Sequence, residues 1–255
     1  MNSKLSAPAV PESVARVRVV LSHTSHPGNI GAAARAMKTM GLSRLVLVNP
    51  KIFPDAQADA MASGAGDVLV QAQVCSSLAE ALSGCVMAVA LTARRRELAT
   101  PPFWARDAMI ELSRYALQHE VALVFGNETS GLSNDELAQC SHWAMIPANP
   151  DYSSLNLAAA VQILSYELRL AMSVATPPPV VAGAGLPATR DEVEGLVGHI
   201  EQMAVRSGFL DPDSPKRLMP RLRRMFGRSG LEREEINILR GLLASFEKPT
   251  GKRYR

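Results

Sequence analysis

The sequence contains few aromatic residues and few cysteines. Aromatic residues make up 5% of the 255 residues, and the three cysteines, Cys75, Cys85 and Cys140, show no CxxC spacing. A small, irregular set of cysteines indicates reduced thiols rather than a disulfide framework or a zinc site. The sequence also lacks the run of about 18 apolar residues that crosses a bilayer, and its first residues lack the apolar stretch of a secretory signal. We therefore expect a cytoplasmic protein without a membrane segment.

Several motifs that bind cofactors or carry catalysis are also missing. The sequence has no GxxxxGK[ST], and no GxGxxG follows its first predicted strand. These absences argue against a P-loop nucleotidase and a dinucleotide-binding domain. The sequence has no GxSxG, the nucleophile elbow of many hydrolases. His23 and His26 lack a convincing third ligand, so we expect no metal site.

Charge is unevenly distributed along the chain. The formal net charge is +3, and 47% of the residues are hydrophobic, as in ordinary folded proteins. Near the C terminus lies a basic stripe without an acidic residue, which consists of Lys216, Arg217, Arg221, Arg223, Arg224 and Arg228. Such a stripe is typical of a surface that binds a phosphate backbone. A solvated helix face explains it equally well, so the stripe alone leaves both interpretations open.

Proline and glycine divide the chain into two parts. The segment 176–188, TPPPVVAGAGLPA, contains four prolines, two glycines and no charge, which is typical of a linker. We therefore predict a flexible extension over 1–15, an α/β domain over 16–175, the linker, and a helical domain over 189–255. In the last of these, helices are predicted over 192–207, 216–228 and 232–247.

Apolar strands alternate with helices before the linker. The predicted strands are 17–21, 45–48, 86–91, 121–125 and 144–146. The predicted helices are 29–40, 77–82, 102–118, 134–139 and 156–173. This alternation indicates a mainly parallel sheet covered on both faces. In such sheets ligands bind in loops at the carboxyl ends of the strands.

Three segments lie where such loops are expected. The first, NIGAAAR, runs from Asn29, a candidate helix N-cap, to Arg35 on a helix of small residues. The second, FGNETSGL, places Gly126 and Gly131 around Glu128, so that backbone amides can approach a ligand. The third, YSSLNLAAAV, leads from a serine-rich loop into a long apolar helix. Taken singly, they are equally a helix-packing patch, a tight turn and a capped helix start.

Together, in this order and spacing, the three segments resemble the signature motifs of the SPOUT class of RNA methyltransferases, in its ribose 2′-O-methylating branch. The resemblance covers about residues 17–173. The stretches SHTSHPGNIGAAARAMKTMGL, NPDYSSLNLAAAVQ and NILRGLLASFE narrow it to the bacterial TrmJ family. That family methylates the ribose of a pyrimidine at position 32 of the tRNA anticodon loop.

The resemblance implies a fold, a cofactor and partners. The fold is an α/β trefoil-knot domain with a mainly parallel sheet, followed by a small, all-helical C-terminal domain that grips tRNA. The cofactor is S-adenosylmethionine, which becomes S-adenosylhomocysteine, and no metal is expected. The partners are the anticodon stem-loop region of tRNA and a second copy of the chain, because members of the family are homodimers whose active site is completed across the interface.

The resemblance also implies site residues. Cofactor contacts are expected from Leu91, Thr92, Ala93, Gly126, Glu128, Ile146, Ser153, Ser154 and Leu155. The residues expected at the target ribose are Arg35, Ser154, Asn156 and Glu128. RNA contacts are expected from Arg35, Arg94 and the basic stripe. Since arginine stays protonated, we expect Arg35 to hold a phosphate and stabilise the developing alkoxide; proton acceptance by Arg35, or by Glu128 as second choice, is a separate hypothesis.

Other functions stay open on the sequence alone. One alternative is an RNA-binding protein that keeps the fold and has lost catalysis, and another is a 2′-O-methyltransferase that acts on a different RNA. A third is a hydrolase with Ser154 as nucleophile, for which His142 is the nearest histidine in sequence. Asn127 stands where some relatives carry arginine, which makes the substrate range less secure than the reaction type. Arg35 and the complete third motif favour the methyltransferase.

Overall fold

The computed structural model describes residues 11–93, 102–173 and 185–247, and a parallel sheet forms the centre of that part of the chain. Its seven strands are β1 (Val17–Ser22), β2 (Arg44–Val48), β3 (Gln73–Cys75), β4 (Met87–Leu91), β5 (Phe103–Trp104), β6 (Val121–Phe125) and β7 (His142–Met145). The strand order is β3-β2-β1-β6-β4-β7-β5, and each neighbouring pair is parallel. The predicted parallel sheet is confirmed.

Helices cover both faces of the sheet. Before the gap at 174–184 they are α1 (Pro27–Thr39), α2 (Ala56–Ala62), α3 (Gly66–Val70), α4 (Leu78–Ala81), α5 (Ala105–Ala116), α6 (Asn134–Ala138) and α7 (Leu157–Met172). After it they are α8 (Arg190–Arg206), α9 (Leu218–Ser229) and α10 (Arg233–Glu247). Short 3-10 helices lie at Glu12–Arg16 and Ser63–Ala65. Of the helices in these ranges, none combines the length and the apolar character that a membrane crossing requires.

The central strands are apolar on both faces because each face packs on its own set of helices. Leu123 of β6 packs with Ala33 of α1, Met109 of α5 and Leu164 of α7 in one core cluster. The next residue, Val124, lies in a second cluster with side chains of α4 and α6. All five residues of β6 are buried. A continuous apolar run is therefore what this strand requires.

Helix α1 packs unusually close to α2. A Cβ on Gly31 would lie 2.0 Å from the backbone oxygen of Ala58, a distance that no side chain tolerates. Glycine at position 31 is therefore required for this close approach, although α2 itself was not predicted. Helix α7 packs between α1 and α5, so the third motif lies beside the first.

The start of α1 differs from the prediction. The helix begins at Pro27, with His26 at the N-cap, and Asn29 lies inside the first turn. Proline suits the first helical position because its missing N–H would have no partner there. The prediction of Asn29 as N-cap is therefore wrong. The Asn29 side chain does not cap the helix and can form hydrogen bonds elsewhere. At the other end, Gly41 follows the C-cap with a φ of 87°, as expected of a glycine after a helix.

Several element boundaries also differ from the prediction. The strand predicted over 144–146 is β7, which begins and ends earlier, and the helix predicted over 102–118 begins only at Ala105 because β5 precedes it. The elements β3, β5, α2 and α3 were not predicted. Strands of two or three residues and helices of five to seven residues carry too short a pattern to be read from periodicity.

The predicted loose N-terminal extension is in part a packed element. Residues 1–10 lie outside the described residues, but Glu12–Arg16 forms a 3-10 helix in which Ser13 and Val14 are buried. Val14 belongs to the same core cluster as β1. The interpretation of 1–15 as flexible is therefore wrong for residues 12–15, because an apolar side chain at Val14 anchors them.

The three C-terminal helices form a bundle that docks on the α/β part. Their small core includes Leu196, Val197, Met219 and Ile236. Asp191 accepts hydrogen bonds from the Ser83 hydroxyl at 2.8 Å and the Gly84 N–H at 3.1 Å. The contact lies at the amino end of β4, whereas the carboxyl ends of the strands face the opposite edge of the sheet.

Most of the predicted linker lies outside the described residues. Its last residues belong to the bundle, since the Ala188 N–H donates to the Leu231 carbonyl at 2.8 Å and Pro187 forms a bridge with Glu232. Passage of the chain through a loop, which the trefoil knot requires, stays a prediction of the resemblance.

Candidate active site

Loops at the carboxyl ends of β4, β6 and β7 surround a cavity of about 160 Å³. All nine residues predicted to contact the cofactor line it: Leu91, Thr92, Ala93, Gly126, Glu128, Ile146, Ser153, Ser154 and Leu155. They come from three loops that together span residues 91–155 of the sequence. The parallel sheet brings them together because β4 lies between β6 and β7.

The loop after β6 is folded tightly around glycine. A Cβ on Gly126 would lie 2.3 Å from both the carbonyl carbon of Gly131 and the nitrogen of Leu132. The Gly131 N–H donates to the Asn127 carbonyl at 2.8 Å, and Gly131 has a φ of 68°. No side chain fits at Gly126, because it would collide with the backbone of its own loop.

A chain of side-chain hydrogen bonds joins the three motifs. The Asn29 amide donates to the Glu128 carboxylate at 2.8 Å, and the Asn156 amide donates to the Asn29 side-chain oxygen at 3.1 Å. The Asn156 oxygen in turn accepts from the backbone N–H groups of Ala158 and Ala159, which caps α7. The loops around the cavity are therefore fixed to one another by Asn29.

Glu128 is held as a carboxylate. Burial by itself would raise its pKa, but hydrogen bonds from Asn29 and from the backbone N–H groups of Ser25 and His26 favour the charged form and lower the pKa below 4.5. A group of this kind is a weak base at neutral pH. The environment of Glu128 thus favours a role in loop geometry over proton acceptance.

Asn127 fixes the same loop to the end of β1. Its amide donates to the His23 carbonyl and to the Ser25 hydroxyl, each at 2.7 Å, and its oxygen accepts from the Thr129 N–H at 2.8 Å. The polar atoms of the Asn127 side chain therefore form hydrogen bonds within the protein. The sequence offered no signal for this role, because an asparagine between a glycine and a glutamate is also typical of an ordinary turn.

Arg35 does not lie in the cavity. It is exposed on α1, and its side chain forms no hydrogen bond or ion pair with the described residues. Ser154 lines the cavity, and Asn156 lies just beyond it at the start of α7. Within one chain, the structure therefore brings Ser154, Asn156 and Glu128 together and leaves Arg35 apart.

The basic stripe is not a uniform surface. Lys216 and Arg217 precede α9, where Lys216 has a φ of 51°, so the helix predicted over 216–228 starts later than expected. Arg217, Arg221 and Arg228 are exposed. Arg223 instead forms an ion pair with Glu194 of α8 at 3.1 Å. The sequence did not predict this pair, because the two residues lie on different helices. Arg94 lies outside the described residues.

The described residues do not support the alternative hydrolase with Ser154 as nucleophile. Ser154 forms no hydrogen bond with them, and the His142 ring contacts the Ser141 hydroxyl at 3.1 Å instead. No group of three or more possible metal-ligating side chains occurs in those ranges. The three cysteines are free and buried, and burial raises the pKa of Cys85 to about 11 and of Cys140 to about 12.

Comparison with protein-family models decides the family. Residues 16–166 match the SpoU rRNA Methylase family, and residues 191–254 match the C-terminal domain of the tRNA methyltransferase TrmJ. The chain belongs to the SpoU methylase family. The SpoU match covers β1 to the middle of α7, and therefore all three motifs. The predicted family and the α/β SPOUT fold are confirmed.

Individual relatives agree with this family over most of the chain. The tRNA (cytidine/uridine/adenosine-2′-O-)-methyltransferase TrmJ of Pseudomonas aeruginosa is 48% identical over 243 residues, which cover 91% of this chain and 94% of the relative. The tRNA (cytidine/uridine-2′-O-)-methyltransferase TrmJ of Cronobacter sakazakii is 47% identical over 235 residues, covering 91% and 96%. The structure of TrmJ from Z. mobilis ZM4 matches with a TM-score of 0.79 at 33% identity, covering 91% of this chain and 99% of that one. This SpoU methylase therefore shares both its parts with TrmJ proteins.

Proposed function

We propose that this SpoU methylase transfers a methyl group from S-adenosylmethionine to the ribose 2′-hydroxyl of cytidine or uridine at position 32 of the tRNA anticodon loop. The observation that carries the proposal is the match to TrmJ methyltransferases over 91% of the chain, including the C-terminal helices. The hydrogen-bond chain from Glu128 through Asn29 to Asn156 adds support, because it joins the first motif to the two motifs that line the cavity.

The cavity suits S-adenosylmethionine in its chemistry. Leu91, Ile146 and Leu155 supply apolar walls, and the tightly folded loop around Gly126 forms another wall. When bound, the cofactor supplies a methyl group on a positively charged sulfur that leaves readily. The nine predicted cofactor residues would hold it at the carboxyl edge of the sheet.

The protein's own residues must position the ribose hydroxyl and stabilise the charge that develops on it. A ribose hydroxyl is a poor nucleophile, so holding it in line with the methyl group accounts for much of the rate. Arg35 would stabilise the developing alkoxide and a neighbouring phosphate, because its guanidinium stays protonated. Ser154 and Asn156 would orient the ribose from the end of the third motif. Glu128 would keep the loops in place as a carboxylate.

We also propose that the active site is completed by a second copy of the chain. Arg35 is exposed and outside its own cavity, which is expected of a residue that serves the partner's site. Mixing Arg35→Ala with Ser154→Ala chains and measuring recovered methylation tests this: heterodimers then contain one intact site, whereas a monomeric enzyme recovers nothing.

The remaining assignments follow from the same proposal. The methyltransferase domain spans 16–175 and the helical domain 189–255, joined by the segment 176–188. The exposed arginines of the basic stripe contact tRNA, and the protein works in the cytoplasm, where its substrate is found. No metal takes part.

The decisive experiment is a nucleoside analysis. Purified protein is incubated with unmodified tRNA transcripts and S-adenosylmethionine, and the digest is searched by mass spectrometry for 2′-O-methylcytidine and 2′-O-methyluridine. The expected result is one methylated pyrimidine, mapped to position 32 and lost in Arg35→Ala. Methylation at another position or in another RNA would refute the substrate assignment. Cofactor binding without methylation of any RNA would instead favour a catalytically silent RNA-binding protein.

A further inference from the structure

The hydroxyl of Ser22 is fully buried and bonds to a carboxylate on another element. Ser22 is the last residue of β1, and its hydroxyl donates a hydrogen bond to the Glu136 carboxylate of α6. The two residues are 114 positions apart in the sequence. Burying a polar group costs free energy unless it is paired, and an apolar side chain would avoid that cost. The pair therefore calls for a physical reason beyond the packing of the core.

Ser22 faces the side of the sheet that α6 covers. Side chains alternate along a strand, so Ser22 lies on the same face as Val20. Val20 belongs to the core cluster that contains Leu132 and Leu137, which precede and follow Glu136 in the chain. The hydrogen bond between Ser22 and Glu136 thus lies at the border of this apolar cluster, at the carboxyl end of β1.

The loop 126–132, which follows β6, begins beside Ser22. Leu21 pairs with Phe125 at the ends of β1 and β6. The residues that follow in the chain, Ser22 and Gly126, therefore lie side by side. All seven residues of the loop line the cavity. A shift of the loop relative to β1 therefore changes the shape of the cavity.

Hydrogen bonds fasten both ends of this loop to the end of β1. At the start of the loop, Asn127 and Glu128 form hydrogen bonds with residues 23–26. After its far end the chain enters α6, where Glu136 forms the hydrogen bond with Ser22. The Ser22–Glu136 bond therefore holds the part of the loop that the contacts of Asn127 and Glu128 do not reach.

The cap of α6 does not account for the contact with Ser22. One Glu136 oxygen accepts from the Ser133 N–H at 2.7 Å, and the Ser133 hydroxyl accepts from the Glu136 N–H at 3.2 Å, which completes a capping box. The other Glu136 oxygen accepts from Ser22. Burial by itself would raise the pKa of Glu136, but hydrogen bonds from Ser22 and Ser133 lower it, so the group is a carboxylate at neutral pH. A charged acceptor makes the bond to Ser22 stronger than one between neutral groups.

We propose that Ser22 and Glu136 are positioning residues of the cofactor site, whose hydrogen bond holds the loop 126–132 in the conformation that binds S-adenosylmethionine. This inference rests on the proposed function, which supplies the identity of the cofactor. Neither residue lines the cavity, so both act through the loop. A site binds its ligand less tightly when the contacts that support it are loose, so loss of this bond is expected to weaken cofactor binding.

Two serines that bond to the same carboxylate allow a matched test. Ser22→Ala removes the contact with β1 and leaves the cap of α6, whereas Ser133→Ala removes the capping hydroxyl and leaves the contact with β1. The dissociation constant for S-adenosylhomocysteine, measured by titration calorimetry, is expected to rise about tenfold in Ser22→Ala and to stay within about twofold in Ser133→Ala. An unchanged constant in Ser22→Ala would overturn the proposal. Equal rises in both variants would also overturn it, because the general stability of α6 would then account for the effect.

Hydrogen exchange supplies a second, independent readout that needs no ligand. The Gly131 N–H donates to the Asn127 carbonyl within the loop, so it reports on the conformation of the loop. This amide is expected to exchange faster in Ser22→Ala than in the wild type, while the amides of β6 exchange at unchanged rates. Faster exchange across β6 as well would mean that Ser22 supports the whole sheet rather than the loop, which would contradict the proposal.

The outcomes separate this inference from the proposed function. Methylation of tRNA by the wild type, together with unchanged S-adenosylhomocysteine affinity in Ser22→Ala, would leave the proposed function intact and refute only the positioning role. A wild type that methylates no RNA but binds S-adenosylhomocysteine about tenfold more tightly than Ser22→Ala does would support the positioning role and refute the proposed activity.

Discussion

The side chains of Asn29 and Asn156 form a hydrogen bond of 3.1 Å, although 127 residues separate them in sequence. Asn29 lies in the first turn of α1, and Asn156 caps α7. Through this one bond the first and third motifs share a fixed geometry, and Glu128 extends it to the second. The cavity loops are therefore expected to respond together to a change at any of the three residues.

Substitution of Asn156 separates its two contacts. Asn156→Ser keeps an oxygen that caps α7 but is too short to reach Asn29, whereas Asn156→Ala loses both contacts. We expect Asn156→Ala to lower the free energy of unfolding by about 1 kcal/mol and Asn156→Ser by only a few tenths. Urea denaturation measures both. Equal stability of the two variants would mean that the cap on α7 contributes nothing.

Glu128→Gln is expected to lower stability by about 1 kcal/mol at pH 7, because the variant loses hydrogen bonds to a charged acceptor. The pKa of Glu128 is lower in the folded chain than its usual 4.5, so the unfolded chain binds the proton more readily. This stabilisation is therefore complete above about pH 4.5 and is lost as the pH falls through the folded-state pKa. Denaturation from pH 7 to pH 3 should show the wild type and the variant converging; a constant difference would contradict this account.

Gly31→Ala is expected to destabilise the protein by about 3 kcal/mol, since the new Cβ would force α1 and α2 apart. Gly198→Ala is the matched control in α8, where a Cβ meets nothing within 4 Å. The control should gain up to about 1 kcal/mol from the better helix propensity of alanine. Thermal unfolding of both variants measures the difference. A Gly31→Ala variant as stable as the wild type would show that α2 moves away at no cost.

Two arginines of the basic stripe are expected to behave differently. Arg221→Ala should weaken tRNA binding and reduce the slope of log affinity against log salt concentration by about 1, with unchanged stability. Arg223→Ala should leave that slope unchanged and lower stability by about 0.5 kcal/mol, because Glu194 keeps only its longer contact with Arg190 at 3.9 Å. Filter binding at several salt concentrations, together with urea denaturation, tests the pair. The same change of slope in both variants would mean that Arg223 also reaches the RNA.

The site was predictable from sequence where the motif itself carries the information. Gly126 and the serine-rich loop follow apolar strands, so a parallel sheet must bring them to one edge. The contacts between loops were not predictable. Asn29 resembled an N-cap because asparagine favours that position, and only the structure shows that Pro27 starts the helix and leaves the Asn29 amide for Glu128.

The helices and strands that the sequence did not predict have a similar explanation. β5 has two residues, and it is a strand only because β7 supplies its hydrogen-bond partners. Helix α2 is short and rich in alanine, so its position depends on the close approach permitted by Gly31. Arg223 belongs to a basic run in sequence, while its acidic partner, Glu194, lies on another helix. Each of these features is decided by residues that are distant in the chain.

The pairing of β1 with β6 has a consequence for synthesis on the ribosome. Val17 pairs with Val121, so the middle of the sheet cannot close until more than 100 further residues have been made. At about 5–20 residues per second, β1 waits roughly 5–20 s for this neighbour. During that time an apolar strand has one edge without its final partner, which is a surface that chaperones bind. The nascent chain is therefore expected to depend on such protection more than a protein built from local hairpins.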